Sequence, residues 1–322
     1  MLSASSDGTG FFSWVKRMAL SFTNTSVTSV CSPGAGATTL CLSYKAMVLL
    51  AKLYNASHPN EPPIAIAKSR QRLAAAIDAR LRASRSCGAM DEACWVNQPF
   101  AAKSQQVRNA ASAAFKPLAP RTWAKNKNEW LSNEDIINVM SQYEKADPKF
   151  HFVGTFPIDF GNKTGKDGTC VSEEICHLNI SKERAKGRTR LGFVFNTDPH
   201  TKGGQHWIAA YVGTDPKDKN YGVYYYDSVA KPTPPQIRRF MQRITRMVAS
   251  MRIESQRTFQ TAENRVRRQY KGTECGIFVM LFLISMRTQP FSRICTSMGT
   301  DDEVETFRSV LFRTEKHKEL GE

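Results

Sequence analysis

Ten consecutive residues, Ile277 to Met286, carry no charge and a single polar side chain, Ser285. A helix that is apolar all round has to be covered on every side, and ten residues are about half of the ~20 that a membrane span needs. The run therefore predicts a buried helix, Cys275 to Met286, at the centre of a sizeable core. The composition can supply that core. With 322 residues, 41% of them hydrophobic, 18 Phe and 5 Trp, the chain is neither wholly disordered nor collagen-like. It is expected to be soluble and to have no membrane span.

Charge divides the chain. Residues 1–127 hold sixteen basic side chains against five acidic ones (Asp7, Glu61, Asp78, Asp91 and Glu92), whereas the other 195 residues carry a net charge of only +5. Such a field suits a polyanion such as nucleic acid, although no aromatic interleaving or nucleic-acid motif accompanies it. We expect a basic, mostly helical arm over residues 1–120, its first thirty or so a flexible Ser/Thr/Gly-rich tail, and a separate core over 121–322. The eight cysteines come without a secretory signal, so reduced thiols in an intracellular setting are expected, without disulfides. Their spacings do not reproduce the tight pairs of zinc sites, and no metal is expected.

Within the arm, Ser43 to Asn55 and Ala67 to Ser84 show apolar residues at helical spacing, the second with a cationic outside. Phe100 to Arg121, rich in Ala, Gln, Ser and Lys, reads as a linker. Beyond it, Ser132 and Thr300 open helices as capping boxes, and Thr233-Pro234-Pro235-Gln236 looks like another. Ile237, Phe240, Met241, Ile244, Val248 and Met251 then trace one helical face. Phe150 to Phe156, Arg190 to Asn196, His206 to Val212 and Tyr221 to Asp227 are rich in β-branched and aromatic residues and predict one sheet. A last amphipathic helix runs through Val304, Phe307, Val310 and Leu311.

Four polar positions punctuate these elements: His206 opening a strand, Asp227 closing the next, Gln269 in a basic loop, and Cys275 in the first turn of the apolar helix. A thiol at a helix N-terminus faces the positive end of the macrodipole and unpaired N–H groups, which favour the thiolate. If His206 reaches it, the two make a thiolate–imidazolium nucleophile, with Asp227 holding the ring and acyl transfer as the chemistry. The Cys275 N–H and the Gln269 amide are the candidate donors to the oxyanion. Gly272 and Gly276 flank the thiol and would let a substrate approach the backbone, and Lys271 adds positive charge.

Gly204-Gln205-His206-Trp207, Tyr226-Asp227-Ser228 and Gln269-x5-Cys275-Gly276 resemble the SUMO-protease (ubiquitin-like-protein protease) clan of cysteine peptidases in residue order and in the step from Gln to Cys. Trp123, Asn128-Glu129-Trp130-Leu131, Met140-x2-Tyr143, Phe195-Asn196-x-Asp198 and the Cys-rich arm resemble more narrowly the virion-maturation proteases of large nucleocytoplasmic DNA viruses. Two departures stand out: Glu274 where the clan often has Asp, and the long polar loop Asp215 to Asn220.

The resemblance implies an α+β, papain-like core in which Trp207 roofs a narrow groove for a Gly-Gly or Ala-Gly pair. It implies a thiol endopeptidase that cuts viral structural polyproteins during virion maturation, in the virion core and the viral factory of the host cytoplasm. No cofactor is implied except DNA as an activator, which an adenovirus relative uses; DNA or acidic core proteins would meet the basic arm. Two rival functions share these residues: removal of SUMO-like or ubiquitin-like tags from lysine, and a non-catalytic nucleic-acid-binding core protein on a protease fold.

Overall fold

All twelve residues of the Cys275–Met286 helix are buried in the computed structural model, which describes residues 30–35, 40–164 and 168–314. The flexible tail expected at the N-terminus lies, up to residue 29, outside these. The chain divides into two units, one spanning Ala119–Ser309 and the other made of residues 30–118 with residues 310–314.

In the smaller unit, helices Tyr44–Ser57 and Arg70–Ala83 start where a serine stops the preceding segment: Ser43 and Ser69 each accept a backbone N–H of the first turn. Their apolar faces meet around Met47, Leu50, Leu73, Ile77 and Trp95. The extended residues 40–42 are pinned from two sides. Glu92 accepts the N–H groups of Cys41 and Leu42, both at 2.8 Å, and the Arg70 guanidinium donates to the carbonyls of Leu40 and Leu42. Arg313 joins this unit through its N–H to the Pro117 carbonyl and its guanidinium to that of Lys116.

Two expectations fail here. Residues 99–114 form helices Pro99–Ala102 and Gln105–Ala114, not a linker, because alanine forms helix without needing an apolar face and only Ala101, Val107 and Ala114 turn inward. The cysteines are also not all free. Cys31–Cys41, Cys87–Cys94 and Cys170–Cys176 are disulfides, with Cα–Cα separations of 5.0, 5.8 and 6.5 Å. Loop closure brings each pair within bonding distance, and a compartment argument from sequence is blind to that.

The larger unit is α+β, built on a five-stranded sheet with helices on both faces. In chain order its strands are β1 (Phe150–Pro157), the short pair β2 (Lys163–Thr164) and β3 (Thr169–Cys170), then β4 (Arg190–Asn196), β5 (Trp207–Gly213), β6 (Gly222–Tyr226) and β7 (Gln260–Glu263). The main sheet has the order β1-β4-β5-β6-β7, antiparallel at β4/β5 and β5/β6 and parallel at both outer pairs; β2 and β3 pair by themselves. Leu191, Phe193 and Phe195 of β4 point to the face covered by helix Pro235–Ser250, through Ile237, Phe240, Ile244 and Val248. The opposite face carries the Cys275–Met286 and Asn133–Ala146 helices. Because β4 to β6 are covered on both sides, their sequences are continuous apolar runs, not alternating ones.

The capping boxes at Ser132 and Thr300 form. The one expected at Thr233 does not. Pro234 occupies the N-cap, and the Thr233 hydroxyl and N–H both go to Glu263, tying the helix start to β7. The last amphipathic segment is broken between Asp301–Glu305 and Arg308–Leu311.

Candidate active site

Strand register brings the first two polar residues together. β5 and β6 are antiparallel with Ala209 opposite Tyr226, so the residue just before β5 and the residue just after β6 emerge at the same end of the sheet. These are His206 and Asp227, and His206 Nε2 lies 2.7 Å from Asp227 Oδ1. Gly204, two residues upstream, has φ +82°, the left-handed conformation the turn into β5 requires and a side chain resists. The Asp227 carboxylate is buried, and its oxygens also accept the N–H groups of Val229 at 2.9 Å and Lys231 at 3.3 Å.

The sulfur of Cys275 acts on the same imidazole. Cys275, the first residue of its helix and 2% exposed, is near enough to the His206 ring to favour its charged form. Burial works against a charged imidazole. The hydrogen bonds and negative charge of Asp227 and Cys275 outweigh it and push His206 up to about 9 from its ordinary 6.5. An imidazole bonded to a carboxylate and acting on a thiol at a helix start can take the thiol proton and return it to a leaving amine.

Gln269 is the fourth residue brought in. Ser228, directly after Asp227, accepts the Gln269 N–H on its carbonyl at 2.9 Å and donates its hydroxyl to Gln269 Oε1 at 2.5 Å. The side-chain nitrogen gives one hydrogen to the Lys271 carbonyl at 2.8 Å, and its second meets no acceptor among the described residues. A buried amide with one hydrogen uncommitted has what an oxyanion donor needs.

Trp207 and Gly276, expected beside a substrate groove, both meet Leu131. The Trp207 indole N–H donates to the Leu131 carbonyl at 3.0 Å, and a Cβ on Gly276 would stand 2.9 Å from Leu131 Cδ1 and 3.0 Å from its Cβ. Gly276 therefore lets the helix start close on the 131 segment. Gly276→Val should cost about 1–3 kcal/mol by overpacking, read as a lower urea midpoint. Gly272 is exposed, with nothing within 4 Å of its Cβ position.

Sequence reasoning missed the supports. Asn264, 3% exposed, clamps Asp227 from both sides: its Oδ1 accepts the Asp227 N–H at 2.7 Å and its Nδ2 donates to the Asp227 carbonyl at 2.8 Å. Ser228 fixes Gln269, and Arg308 fixes Glu274. A neutral side chain such as Asn264 carries no spacing signal in a polar loop, Ser228 entered only as a position in a motif, and for Arg308 the sole pointer was the Glu274 departure.

Residues 193–314, which contain all four polar positions, match the Ulp1 protease family, C-terminal catalytic domain. That segment is similar to the Ulp1-family cysteine proteases. Similarity extends beyond that Ulp1-family segment. A protein of Acanthamoeba polyphaga mimivirus named as a thiol protease is 29% identical over 248 residues, covering 74% of this chain and 73% of that one. A SUMO-1 cysteine protease of African swine fever virus is 26% identical over 247 residues, covering 72% of this chain and 86% of its own length. The fold is also that of a solved relative. The crystal structure of an African swine fever virus protease superposes with a TM-score of 0.63 at 20% identity, over 89% of this chain and 96% of that one. Among the described residues, no helix is long and apolar enough to cross a membrane.

Proposed function

We propose that this chain is a thiol endopeptidase that cuts viral structural precursors after small-residue pairs of the Gly-Gly or Ala-Gly type during virion maturation. The observation that carries the reading is the His206 ring, bonded to the buried Asp227 carboxylate and held in its charged form by that carboxylate and by the Cys275 sulfur at the start of a buried helix. In this reading Cys275 Sγ attacks the scissile carbonyl, and the C–N bond breaks as imidazolium His206 gives its proton to the departing amine. His206 then takes a proton from water, whose oxygen displaces the sulfur and releases the acid. Asp227 keeps the ring oriented throughout. The Cys275 N–H and the uncommitted Gln269 hydrogen receive the oxyanion.

The viral relatives support a viral protein as substrate. The assay offers the purified protein a Gly-Gly-X precursor peptide and a SUMO conjugate in parallel. Cleavage of the peptide is the expected result; activity confined to the conjugate would overturn it in favour of deconjugation, and DNA binding without any cleavage in favour of a core protein. Gln269→Ala should lower kcat about 10²–10³-fold with little change in KM, as loss of one oxyanion donor does.

A further inference from the structure

The first three N–H groups of the Cys275–Met286 helix, on Cys275, Gly276 and Ile277, meet no acceptor among the described residues; the first bond of the helix is Phe278 N–H to the Glu274 carbonyl. They stand at the positive end of a fully buried helix. The N-cap is Glu274, whose carboxylate is the nearest anion in sequence, and such a group at a helix start ordinarily turns back onto free N–H groups. It makes no cap bond here. Its backbone sits at φ −91° and ψ 0°, the sparsely populated bridge region, and its carboxylate is engaged elsewhere.

What engages it is Arg308. Nε lies 3.3 and 3.1 Å from the two Glu274 oxygens and Nη2 lies 2.9 Å from Oε1, with the side chains only 7% and 3% exposed. The same guanidinium donates to the carbonyls of Glu129 at 3.0 Å and Thr273 at 3.4 Å, and its carbon stands 4.6 Å from the centroid of the Trp123 ring. The Thr273 hydroxyl adds a bond of 3.0 Å to Glu274 Oε1. All of these partners are groups other than the N–H groups of the helix start. An ion pair this buried is a poor device for stability, since desolvating both charges offsets most of their attraction. Its placement one residue before the thiol calls for another explanation.

We infer that Arg308 is a positioning residue that holds the Glu274 carboxylate off the start of the Cys275 helix, keeping those N–H groups free for negative charge on the sulfur and on the reacting carbonyl oxygen. The inference rests on Cys275 being the nucleophile. Without Arg308, Glu274 is a bare buried carboxylate beside three free donors and takes them itself, so chemistry suffers and substrate binding does not.

The test compares Arg308→Met with the double variant Arg308→Met/Glu274→Gln in the full chain, with Cys275→Ala as control. The single variant should lose about tenfold or more in kcat with KM nearly unchanged, because the lost interaction acts in the transition state. The double variant, which has no carboxylate to misplace, should recover most of that kcat although it keeps none of the ion pair. A purely structural role predicts the reverse, a double variant no better than the single. If Arg308→Met does not fold, Arg308→Gln replaces it, and if neither folds the double variant decides alone. Wild-type kcat in a folded neutral variant, a double variant without recovery, or one that itself fails to fold each overturns the inference. Cleavage that survives Cys275→Ala strikes the underlying reading instead.

Discussion

Cys275→Ala should abolish peptide cleavage, lowering kcat by about 10⁴-fold or more, as removal of a nucleophile does, while leaving the fold intact. No other thiol is placed to substitute. Six of the eight cysteines are tied in disulfides, and Cys295 is buried, which pushes its thiol up to about 12. An alkylating reagent at neutral pH should accordingly mark Cys275 in the wild type and almost nothing in the variant. The same substitution has a second readout independent of substrate. The sulfur is one of the two partners that raise His206, so in Cys275→Ala the ring should titrate at a lower pH, visible as a shifted imidazole resonance in an NMR titration. Retained cleavage would remove Cys275 from the chemistry; an unmoved titration would mean that sulfur and ring do not interact in solution.

The parts of this site that the sequence exposes are those whose chemistry is unusual for their place. A thiol opening a run as apolar as Ile277 to Met286 and a histidine opening a strand stand out against their neighbours, and β4 is bounded at the expected residues because both of its faces are covered. What escapes is carried by ordinary residues. β7 reads Gln-Thr-Ala-Glu, an edge strand with two exposed positions that owes its place to pairing with β6 and not to its own pattern. Asn264, immediately after it, could be any loop asparagine until the register of β6 and β7 sets it against the Asp227 backbone. Thr233 followed by Pro-Pro-Gln satisfies the capping pattern, yet its hydroxyl finds the Glu263 carboxylate, a competitor thirty residues away that no local rule contains. The disulfides fail for a related reason: spacing along the chain does not report whether two Cα atoms lie 5 or 15 Å apart.

Asp227→Asn should lower kcat by about 10³–10⁴-fold with little change in the site's geometry, since the amide oxygen can still accept the Val229 N–H in place of Oδ1 and only the longer bond from the Lys231 N–H to Oδ2 is given up, but the amide no longer favours an imidazolium. Its pH dependence separates electrostatics from simple damage. His206 stands at about 9 in the folded protein against an ordinary 6.5, a raised value, so its charged form is the one that folding favours. The stabilisation this gives is present in full below about 6.5 and is lost as the pH rises through about 9. Removing the carboxylate takes away much of it, so the gap in urea midpoint between wild type and Asp227→Asn should be widest on the acid side and narrow on passing through that window. Activity should move with it. The imidazolium must supply the proton for the leaving amine, so wild-type kcat/KM should fall on an alkaline limb near 9, and in Asp227→Asn that limb should shift to lower pH. A variant whose midpoint gap is the same on both sides of the window, and whose alkaline limb stays in place, would show Asp227 to be a structural strand terminator and leave His206 to be charged by the thiolate alone.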